Sequence, residues 1–491
     1  MKDKIAKYAD SMAMFPGSGI LLVCVSGGID SMCLLDVMLD ISSKRGFSIH
    51  AAHYNHMLRG EESMRDESFV IDYCRSRSVP LYVDRGDVRA QAKENGDGIE
   101  ETARILRYEF FYEIAHKVGA IRILTAHTAD DNTETMIMNL VRGSGAKGLS
   151  GIPPVRFVTK YADLKELEVN RPMLCVSRDE ITHYAMKFDI PYVEDSTNFI
   201  DIYTRNKIRN NVIPILKSIN PRLNDSMAIT AENSRADEEF LSDMVLDLVH
   251  RKVTVPDNRK NLPYAEDDYR MSELLMDDLK PYEENTHMIK VKDLLCIPLA
   301  LSSRVIRILG GRGISYKHVM AVLELCNSDN PSACLSLPGV SVFREYSFLV
   351  FEKKTKVSEI VPFKPITVEP GVEVAIEGIE FNIACKYIAP NDIISDKVHK
   401  SFYTFLFKSS EICGNIVVRP RCEGDSIRLL GRNGTKSLKK LFIEHRVPAR
   451  LRSIVPVIAD NVGVLAIYGI GRGDRAIPTS GDPVISISFT R

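Results

Sequence analysis

The chain has 491 residues, of which 45% are hydrophobic and 26% charged, and its formal net charge is −1 at pH 7. At roughly 150 residues per domain, this length predicts three or four domains with buried cores. The near-neutral charge excludes a general attraction to polyanions, so any nucleic-acid surface has to be a local patch.

The sequence contains no apolar run of transmembrane length and no charged-then-apolar leader, so we expect a cytoplasmic protein with no membrane partner. The ten cysteines include no C-x-x-C pair. Several of them lie in strand-like apolar runs, where a free thiol packs as a small hydrophobic group. We therefore expect neither a disulfide framework nor a zinc ribbon.

Between about residues 20 and 195, short β-rich runs alternate with helical stretches, which predicts βαβ units and a parallel sheet. The predicted strands are GILLVCV, SIHAAHYNH, PLYVDRG, IRILTAH and PYVED. Ser177 and Glu180 are spaced as a capping box that opens one of the helices. Because ligands bind at the carboxyl ends of such strands, functional residues are expected there.

From about residue 205 to 330 the sequence is helical and charged, with an acidic stretch near 256–287 that is typical of a loop or linker. From about residue 335 to the end, β-rich runs return, with one helical stretch near 436–446. The predicted fold class is therefore α/β with an N-terminal parallel sheet, a helical middle region and an α+β C-terminal part.

The stretch SGGIDS, residues 26–31, joins the first predicted strand to a helix. Gly27 and Gly28 permit close backbone approach, Ser26 and Ser31 offer hydroxyl donors, and the helix N-terminus favours an anion. This is the pattern of a phosphate cradle, although it lacks the lysine of a Walker A loop. Asp30 could hold a Mg²⁺ ion that bridges to the phosphate. A plain strand-to-helix turn is the structural alternative.

The stretch TAHTADDNTET repeats this strand, loop and helix design, with carboxylates in the first two turns of the helix. Asp131 and Glu134 are spaced i, i+3, so they share a helix face. Acidic residues at a helix start also arise for dipole reasons alone. His127 could be a ligand, and a hydrogen-bonded structural histidine explains it equally well.

Three further stretches carry polar residues whose patterns are weak individually. Arg104 and Arg107 lie i, i+3 on one side of an otherwise apolar helix, where a solvated face is the alternative. The stretch YNHMLR follows the second strand. A connecting loop or a functional cluster would equally explain the polar residues Asp195, Ser196, Asn198, Arg205, Asn206 and Arg209.

Taken in order, these stretches resemble the bacterial tRNA(Ile)-lysidine synthetases of the PP-loop ATP pyrophosphatase superfamily. The resemblance covers about residues 20–215 and resumes near 419–473. Its motifs are SGGIDS, YNHMLR, ETARILRY, AHTADDNTET with LVRGSGAKGLSGIPP, RPMLCVSRDEI, EDSTN and TRNKIR. One departure is HTADD, because many members carry a second histidine after the first, so His127 receives no firm role.

The resemblance implies an adenine nucleotide alpha hydrolase-like N-terminal domain and a lysine ligase that acts on tRNA(Ile) with a CAU anticodon. ATP would adenylate the carbonyl oxygen of the wobble cytidine, and the ε-amine of L-lysine would then displace AMP. The ATP-binding residues implied are Ser26, Gly27, Gly28, Ile29, Asp30 and Ser31, with Asp30 holding Mg²⁺. Asp131 and Glu134 would bind lysine, and Arg107 would stabilise phosphate charge. The implied catalytic residues are Asp30, Arg107, Asp131 and Glu134.

The C-terminal stretch from residue 419 to 452 holds ten basic residues against three acidic ones, which makes it the expected RNA patch. Lys436, Lys439 and Lys440 are spaced i, i+3, i+4 and are predicted to lie on one helix face, suited to tRNA phosphates. A solvated helix face is the alternative. Arg205 is the fourth predicted tRNA contact.

The expected domains are a catalytic PP-loop domain at 1–215, a mostly helical, tRNA-contacting region at 216–330 and a β-rich tRNA-binding region at 331–491. The last region could comprise two subdomains, the second at about 380–491. Two other functions stay open: a PP-loop tRNA thiolase, which generally needs a cysteine pair or an iron–sulfur cluster, and a non-catalytic tRNA-binding protein. The sequence leaves a homodimer open.

Overall fold

The computed structural model describes all residues except 59, 97, 158–166, 195–203, 255–285, 355–361, 377–380, 390–402, 480 and 491. The chain divides into two compact units, Met1–Phe240 and Leu241–Arg491. Almost all of the acidic stretch predicted as a loop near 256–287 lies outside the described residues, as do Asp195, Ser196 and Asn198.

Six strands form the sheet of the first unit. They are β1 (Gly19–Cys24), β2 (Phe47–Asn55), β3 (Leu81–Arg85), β4 (Ala120–Leu124), β5 (Val155–Phe157) and β6 (Glu168–Asn170). The order across the sheet is β3-β2-β1-β4-β6-β5, and all neighbouring pairs are parallel except β5 with β6. The predicted parallel α/β fold is confirmed.

Helices cover both faces of this sheet. Those of the first unit are α1 (Lys2–Ser11), α2 (Ile29–Ser42), α3 (Glu61–Ser76), α4 (Val88–Asn95), α5 (Ile99–Val118), α6 (Ala129–Val141), α7 (Ala146–Leu149), α8 (Arg178–Lys187), α9 (Thr204–Lys207) and α10 (Ile213–Ile219). Alternate residues of β1 enter two separate cores: Leu21 and Val23 pack with α2, whereas Leu22 and Cys24 pack with α5. Burial on both faces explains the continuous apolar run of this strand.

The predicted strand PYVED is wrong over residues 191–194, which have no strand structure. Instead, the backbone N–H of Val193 donates to the carbonyl of Gly27 over 3.0 Å. The edge position is taken by the short strands β5 and β6, which the sequence pattern did not reveal. The capping box is confirmed, since Ser177 Oγ accepts from the Glu180 N–H, and the Glu180 carboxylate accepts from the Ser177 N–H.

The long helix α11 (Leu223–Lys252) begins in the first unit and ends in the second. The second unit then contains α12 (Val291–Leu295), α13 (Leu299–Gly310), α14 (Tyr316–Asn327) and α15 (Leu438–Glu444). This arrangement confirms the predicted helical middle region and α+β C-terminal part.

The strands of the second unit form antiparallel sheets. Their bounds are β7 (Val253–Thr254), β8 (His287–Lys290), β9 (Cys334–Leu337), β10 (Val340–Glu345), β11 (Phe348–Lys353), β12 (Ile366–Val368), β13 (Glu373–Ile376), β14 (Phe381–Ile388), β15 (Thr404–Lys408), β16 (Ile416–Arg419), β17 (Ser426–Ile427), β18 (Lys436–Ser437), β19 (Val457–Ala459), β20 (Val464–Ile467), β21 (Gly471–Arg472) and β22 (Val484–Thr490). The sheet orders are β7-β8-β11-β10-β9, β12-β16-β19-β20-β21, β13-β14-β22-β15 and β17-β18.

All ten cysteines are free thiols, and their burial differs between the units. In the first unit, Cys24, Cys33 and Cys74 are buried and Cys175 is half-buried. The exposed cysteines all belong to the second unit: Cys296, Cys334, Cys413 and Cys422. None of the described helices is both long and apolar enough to cross a membrane.

Candidate active site

The SGGIDS loop lies at the carboxyl end of β1, the central strand of the parallel part of the sheet. Ser31 organises the loop: its Oγ accepts from the Ser26 N–H over 3.1 Å and donates to the Gly28 carbonyl over 2.9 Å. The hydroxyls of Ser26 and Ser31 are 3.2 Å apart. Ser31 is buried and Ser26 exposed, so Ser26 is the more accessible of the two hydroxyls.

Gly27 has a left-handed backbone conformation that residues with a Cβ atom rarely adopt. Its φ is +92°, and a Cβ atom there would lie 3.4 Å from the Val70 side chain. With φ positive, the loop turns sharply into α2 and leaves the backbone accessible at the helix start, as an anion site requires.

Asp30 is the carboxylate of this loop, and its negative charge is only weakly balanced by its surroundings. Its Oδ1 atom is buried and has no hydrogen-bond partner among the described residues, while Oδ2 is 3.6 Å from Nη2 of Arg178. Burial raises the pKa of Asp30 to about 6, and the charges of Asp131 and Asp130 add to the increase against the opposing effect of Arg178. Asp30 therefore combines a buried oxygen that has no donor partner among the described residues with a carboxyl whose ionisation is disfavoured by burial.

The second carboxylate group lies at the start of α6, which follows β4, the neighbour of β1. Asp131 closes a capping box with Thr128, whose N–H donates to Asp131 Oδ2 over 2.9 Å. The other oxygen of Asp131 accepts from Nη2 of Arg205 over 3.0 Å. Asp131 therefore caps the helix through one oxygen and pairs with Arg205 through the other, and its role in lysine binding stays a prediction.

Glu134 is almost fully buried, with 1% of its side chain exposed, and it accepts from two arginines. Arg205 Nε lies 2.7 Å from Oε2, and Arg209 Nε lies 2.5 Å from Oε1. Arg209 also approaches Asp131, at 3.5 Å. We call Arg205 and Arg209 the arginine clamp, because together they contact both carboxylates to which the family resemblance gives a role in lysine binding.

The clamp comes from α9 and the π-helical turn Ile208–Val212 that follows it, where the sequence pattern permitted an ordinary loop. Arg205, predicted as a tRNA contact, thus lies on Glu134 and Asp131 in this structure, and its contact with tRNA stays a prediction. Arg209 was only one member of a polar cluster in the sequence, and no local pattern showed its partner.

Asp130, the first acidic residue of the DDxxE pattern, has a structural role. It accepts from Nζ of Lys217 over 2.9 Å and from the N–H of Arg178 over 2.8 Å. These contacts attach the starts of α6 and α8 and the helix α10 to one another. Asp130 therefore has a different environment from Asp131 and Glu134, which share the arginine clamp.

His127 is the residue for which the sequence left two explanations. Its Nδ1 lies 2.9 Å from the hydroxyl of Thr125, and burial, followed by the charge of Arg171, lowers the pKa of His127 to about 3. The ring is therefore neutral at physiological pH. This environment is that of a hydrogen-bonded structural histidine close to the carboxylates.

Arg107 lies on α5, half-buried, beside the ring of Tyr108, and its guanidinium carbon is 5.9 Å from the ring centroid. Burial lowers its pKa, and Arg104 adds to that effect. Among the described residues Arg107 has no ion-pair partner, so its charge is available to a ligand.

The basic C-terminal stretch has fewer unpaired basic side chains than its composition suggests. The predicted helix face of three lysines is wrong for Lys436, which lies in β18, because α15 begins only at Leu438 with Ser437 as its N-cap. Many of the basic side chains are neutralised by carboxylates; these are Arg419 with Asp425, Arg428 with Asp474, Arg432 and Lys436 with Glu444, and Arg450 with Glu345 and Glu352. Within the described ranges, Arg421, Lys439 and Lys440 form no such pair.

Two family models match parts of this chain. The family model of the PP-loop domain, an ATP-binding domain, matches residues 1–216, and that of the TilS substrate C-terminal domain matches residues 416–488. Among solved structures, similarity is low: a U34-tRNA thiolase, NcsA, from Methanococcus maripaludis has 15% identity and a TM-score of 0.39, covering 47% of this chain and 76% of its own. This TM-score is too low to support a functional conclusion.

Relatives match over the full chain. The tRNA(Ile)-lysidine synthase of Dehalococcoides mccartyi is 30% identical, covering 97% of this chain and 96% of its own. That of Caldanaerobacter subterraneus is 29% identical, covering 100% and 98%. The bifunctional protein TilS/HprT of Listeria innocua is 30% identical, covering 100% of this chain and 71% of its own. The chain therefore belongs to the tRNA(Ile)-lysidine synthase family.

Proposed function

We propose that this protein ligates L-lysine to C2 of the wobble cytidine in tRNA(Ile) with a CAU anticodon. ATP is cleaved to AMP and pyrophosphate, and the product reads AUA instead of AUG. The observation that carries the proposal is the placement of the SGGIDS loop and the Asp131–Glu134 pair at the carboxyl ends of adjacent parallel strands, close enough for Asp131 to raise the pKa of Asp30.

This arrangement matches the two chemical steps. C2 of cytidine is a poor electrophile until its oxygen becomes a leaving group, so adenylation has to come first. The SGGIDS loop supplies hydroxyl and backbone groups for the pyrophosphate that leaves, and Arg107 supplies a planar donor for developing phosphate charge. The ε-ammonium of lysine has to lose a proton before attack, which a carboxylate that binds it can accept.

The residues present fit a Mg²⁺ ion in one specific way. The described part of the chain contains no group of three or more metal-ligating side chains. Asp30 nevertheless has one buried oxygen without a donor. Mg²⁺ is commonly held by one or two carboxylates together with nucleotide phosphates and water. We therefore assign Asp30 as the protein ligand, where the ion would neutralise phosphate charge when bound.

Lysine binding requires a change at the arginine clamp. Both carboxylates proposed for lysine accept hydrogen bonds from Arg205 and Arg209 in this structure. Glu134 is too buried to accept a third cation while both arginines stay in place. We infer that the ammonium group of lysine replaces at least one guanidinium of the clamp.

Lysidine formation is the direct test of the proposal. CAU-anticodon tRNA is incubated with the protein, ATP, Mg²⁺ and isotopically labelled lysine, and its nucleosides are then analysed by mass. We expect a cytidine whose mass increases by that of lysine less water, dependent on both ATP and lysine. Incorporation of sulfur would instead support the thiolase alternative, which the family assignment disfavours. Release of no pyrophosphate at all would indicate a non-catalytic tRNA-binding protein.

The exposed lysines of α15 lead to a prediction about tRNA affinity. Replacing Lys439 and Lys440 by alanine should lower the slope of log K against log salt by about 1.4–1.8, because each phosphate contact contributes roughly 0.7–0.9. Lys436→Ala is the matched control: its ammonium is already paired with Glu444 at 2.7 Å, so its removal should change the slope least. Equal slopes for wild type and the double variant would contradict a phosphate contact.

Self-association stays a prediction as well. A homodimer would sediment near twice the chain mass of 55.1 kDa in analytical ultracentrifugation.

A further inference from the structure

Four arginines surround one aromatic ring beside the proposed active site. The guanidinium carbons of Arg104, Arg156 and Arg107 lie 5.0, 5.1 and 5.9 Å from the centroid of Tyr108. Arg171 is close enough to the same tyrosine for Tyr108 to act on its pKa. We call these four residues the arginine cluster.

Among the described residues, the hydrogen bonds that hold the arginine cluster in place involve no carboxylate. Arg156 donates to the hydroxyl of Tyr112 over 2.6 Å, and Arg171 donates through Nη1 to the carbonyl of Pro153 over 2.6 Å. Within the part of the chain that the structure describes, none of the four forms an ion pair. Like charges gathered in this way repel one another, and the ring faces of Tyr108 offset only part of that repulsion.

Arg171 gives a second, independent indication of a ligand. It is 2% exposed, and its buried Nε atom has no hydrogen-bond partner among the described residues. A buried charge without an anionic partner is costly. Since a guanidinium presents its donors as a planar fork, the missing partner is best supplied by an anion with several oxygens.

The cluster lies at the carboxyl edge of the sheet, where the target base is proposed to react. Arg171 directly follows β6, and His127 follows the neighbouring strand β4, so both lie at the carboxyl edge of the sheet. Arg171, Arg104 and Arg107 all lower the pKa of His127, whereas Asp131 raises it. Arg107 also lowers the pKa of Cys24 at the end of β1, against the effect of burial. The cluster therefore lies at the carboxyl ends of β1, β4 and β6, near the carboxylates proposed for lysine.

We propose that Arg104, Arg156 and Arg171 of the arginine cluster form a phosphate subsite that binds the RNA backbone next to the modified cytidine, whereas Arg107 stays assigned to the nucleotide phosphates. This inference rests on the proposed function. Arg104 is exposed and Arg171 buried, so the cluster leads from the surface towards the reacting base, as a strand entering from outside requires. The nucleotide already has its own phosphate site in the SGGIDS loop. Planar arginine forks suit the paired oxygens of a phosphodiester.

The test removes the two cluster residues that are least buried and lie outside the residues assigned to catalysis. For Arg104→Gln/Arg156→Gln, the salt slope of tRNA binding should fall by about 1.4–1.8, and tRNA affinity at moderate salt should drop roughly tenfold. ATP binding measured without tRNA should stay within about twofold of wild type. The charge-conserving variant Arg104→Lys/Arg156→Lys should retain most of the salt slope, which a merely structural role would not predict.

A matched control removes two arginines from the opposite edge of the sheet. Arg45 follows the end of α2 and pairs with Asp10, and Arg75 lies in the last turn of α3 and pairs with Asp72. Arg45→Gln/Arg75→Gln should therefore leave the salt slope unchanged. An unchanged slope in the cluster variant overturns the proposal, and so does weaker ATP binding with intact tRNA binding, which would assign the phosphate to the nucleotide. Lysidine formation by the wild type tests the proposed function separately.

Discussion

Replacing Asp30 by asparagine should abolish ATP-dependent activation of tRNA and, at the same time, stabilise the free protein above pH 6. The first effect follows because Asp30 is the only carboxylate of the SGGIDS loop and the proposed Mg²⁺ ligand. The second follows because burial raises its pKa to about 6, against an ordinary value of 3.8. A carboxyl whose pKa is raised by folding makes its full contribution to stability below about pH 4. It loses this contribution as the pH rises through about 6.

Since one pKa unit corresponds to about 1.4 kcal/mol, Asp30→Asn should gain up to about 3 kcal/mol of stability at pH 8, and the gain should shrink towards pH 4. Pyrophosphate release with tRNA measures the activity, and melting temperatures across this pH range measure the stability. Asp72→Asn serves as the control, because that side chain is 73% exposed on α3. A folded Asp30→Asn variant with normal pyrophosphate release would falsify the role of Asp30.

The second large effect concerns Glu134. Glu134→Gln should raise the KM for lysine by at least roughly tenfold, since a charged hydrogen bond to the substrate ammonium contributes about 1.5–3 kcal/mol. The KM for ATP should change much less, because the proposed nucleotide site is the SGGIDS loop and does not include Glu134. Initial rates of lysidine formation with each substrate varied in turn provide both values. Similar increases in the two KM values would indicate a shared metal site instead.

A substitution in the arginine clamp should change the affinity for lysine in the opposite direction. Arg205→Gln removes one of the two cations that occupy Glu134, so free lysine should bind more tightly to this variant in the absence of tRNA. Isothermal titration calorimetry with lysine measures this directly. Because Glu134→Gln and Arg205→Gln both alter the same buried cluster, a general loss of folding would weaken lysine binding in both, whereas competition predicts opposite changes.

Local sequence patterns were sufficient for much of the fold and for part of the site. β1 to β4 were predictable because each is a short apolar run between turn or helix signals, and the Ser177–Glu180 capping box because its spacing is local. The pairing of Asp131 with Glu134 followed from helix geometry alone. In each case the interacting residues are at most a few positions apart in the chain.

The remaining features depend on contacts between distant residues. Glu134 meets Arg209, 75 positions later, and Arg450 meets Glu352, 98 positions earlier. No local pattern shows such pairs, and for this reason the net positive charge of residues 419–452 overstated the free basic surface. The strand predicted at PYVED failed for a similar reason, because the backbone N–H of Val193 bonds to the SGGIDS loop and not to a sheet.

The uneven burial of the cysteines favours fluorescent labelling of the second unit, because three thiols of the first unit are buried and Cys175 is half-buried. A maleimide dye reacts with accessible thiols. It should therefore label Cys296, Cys334, Cys413 and Cys422 of the second unit, while Cys24, Cys33 and Cys74 of the first unit stay shielded. Cys422 adjoins Arg421 in the basic stretch. In a variant in which Cys296, Cys334 and Cys413 are replaced by serine, a dye on Cys422 can therefore report the arrival of tRNA while the first unit keeps its native side chains.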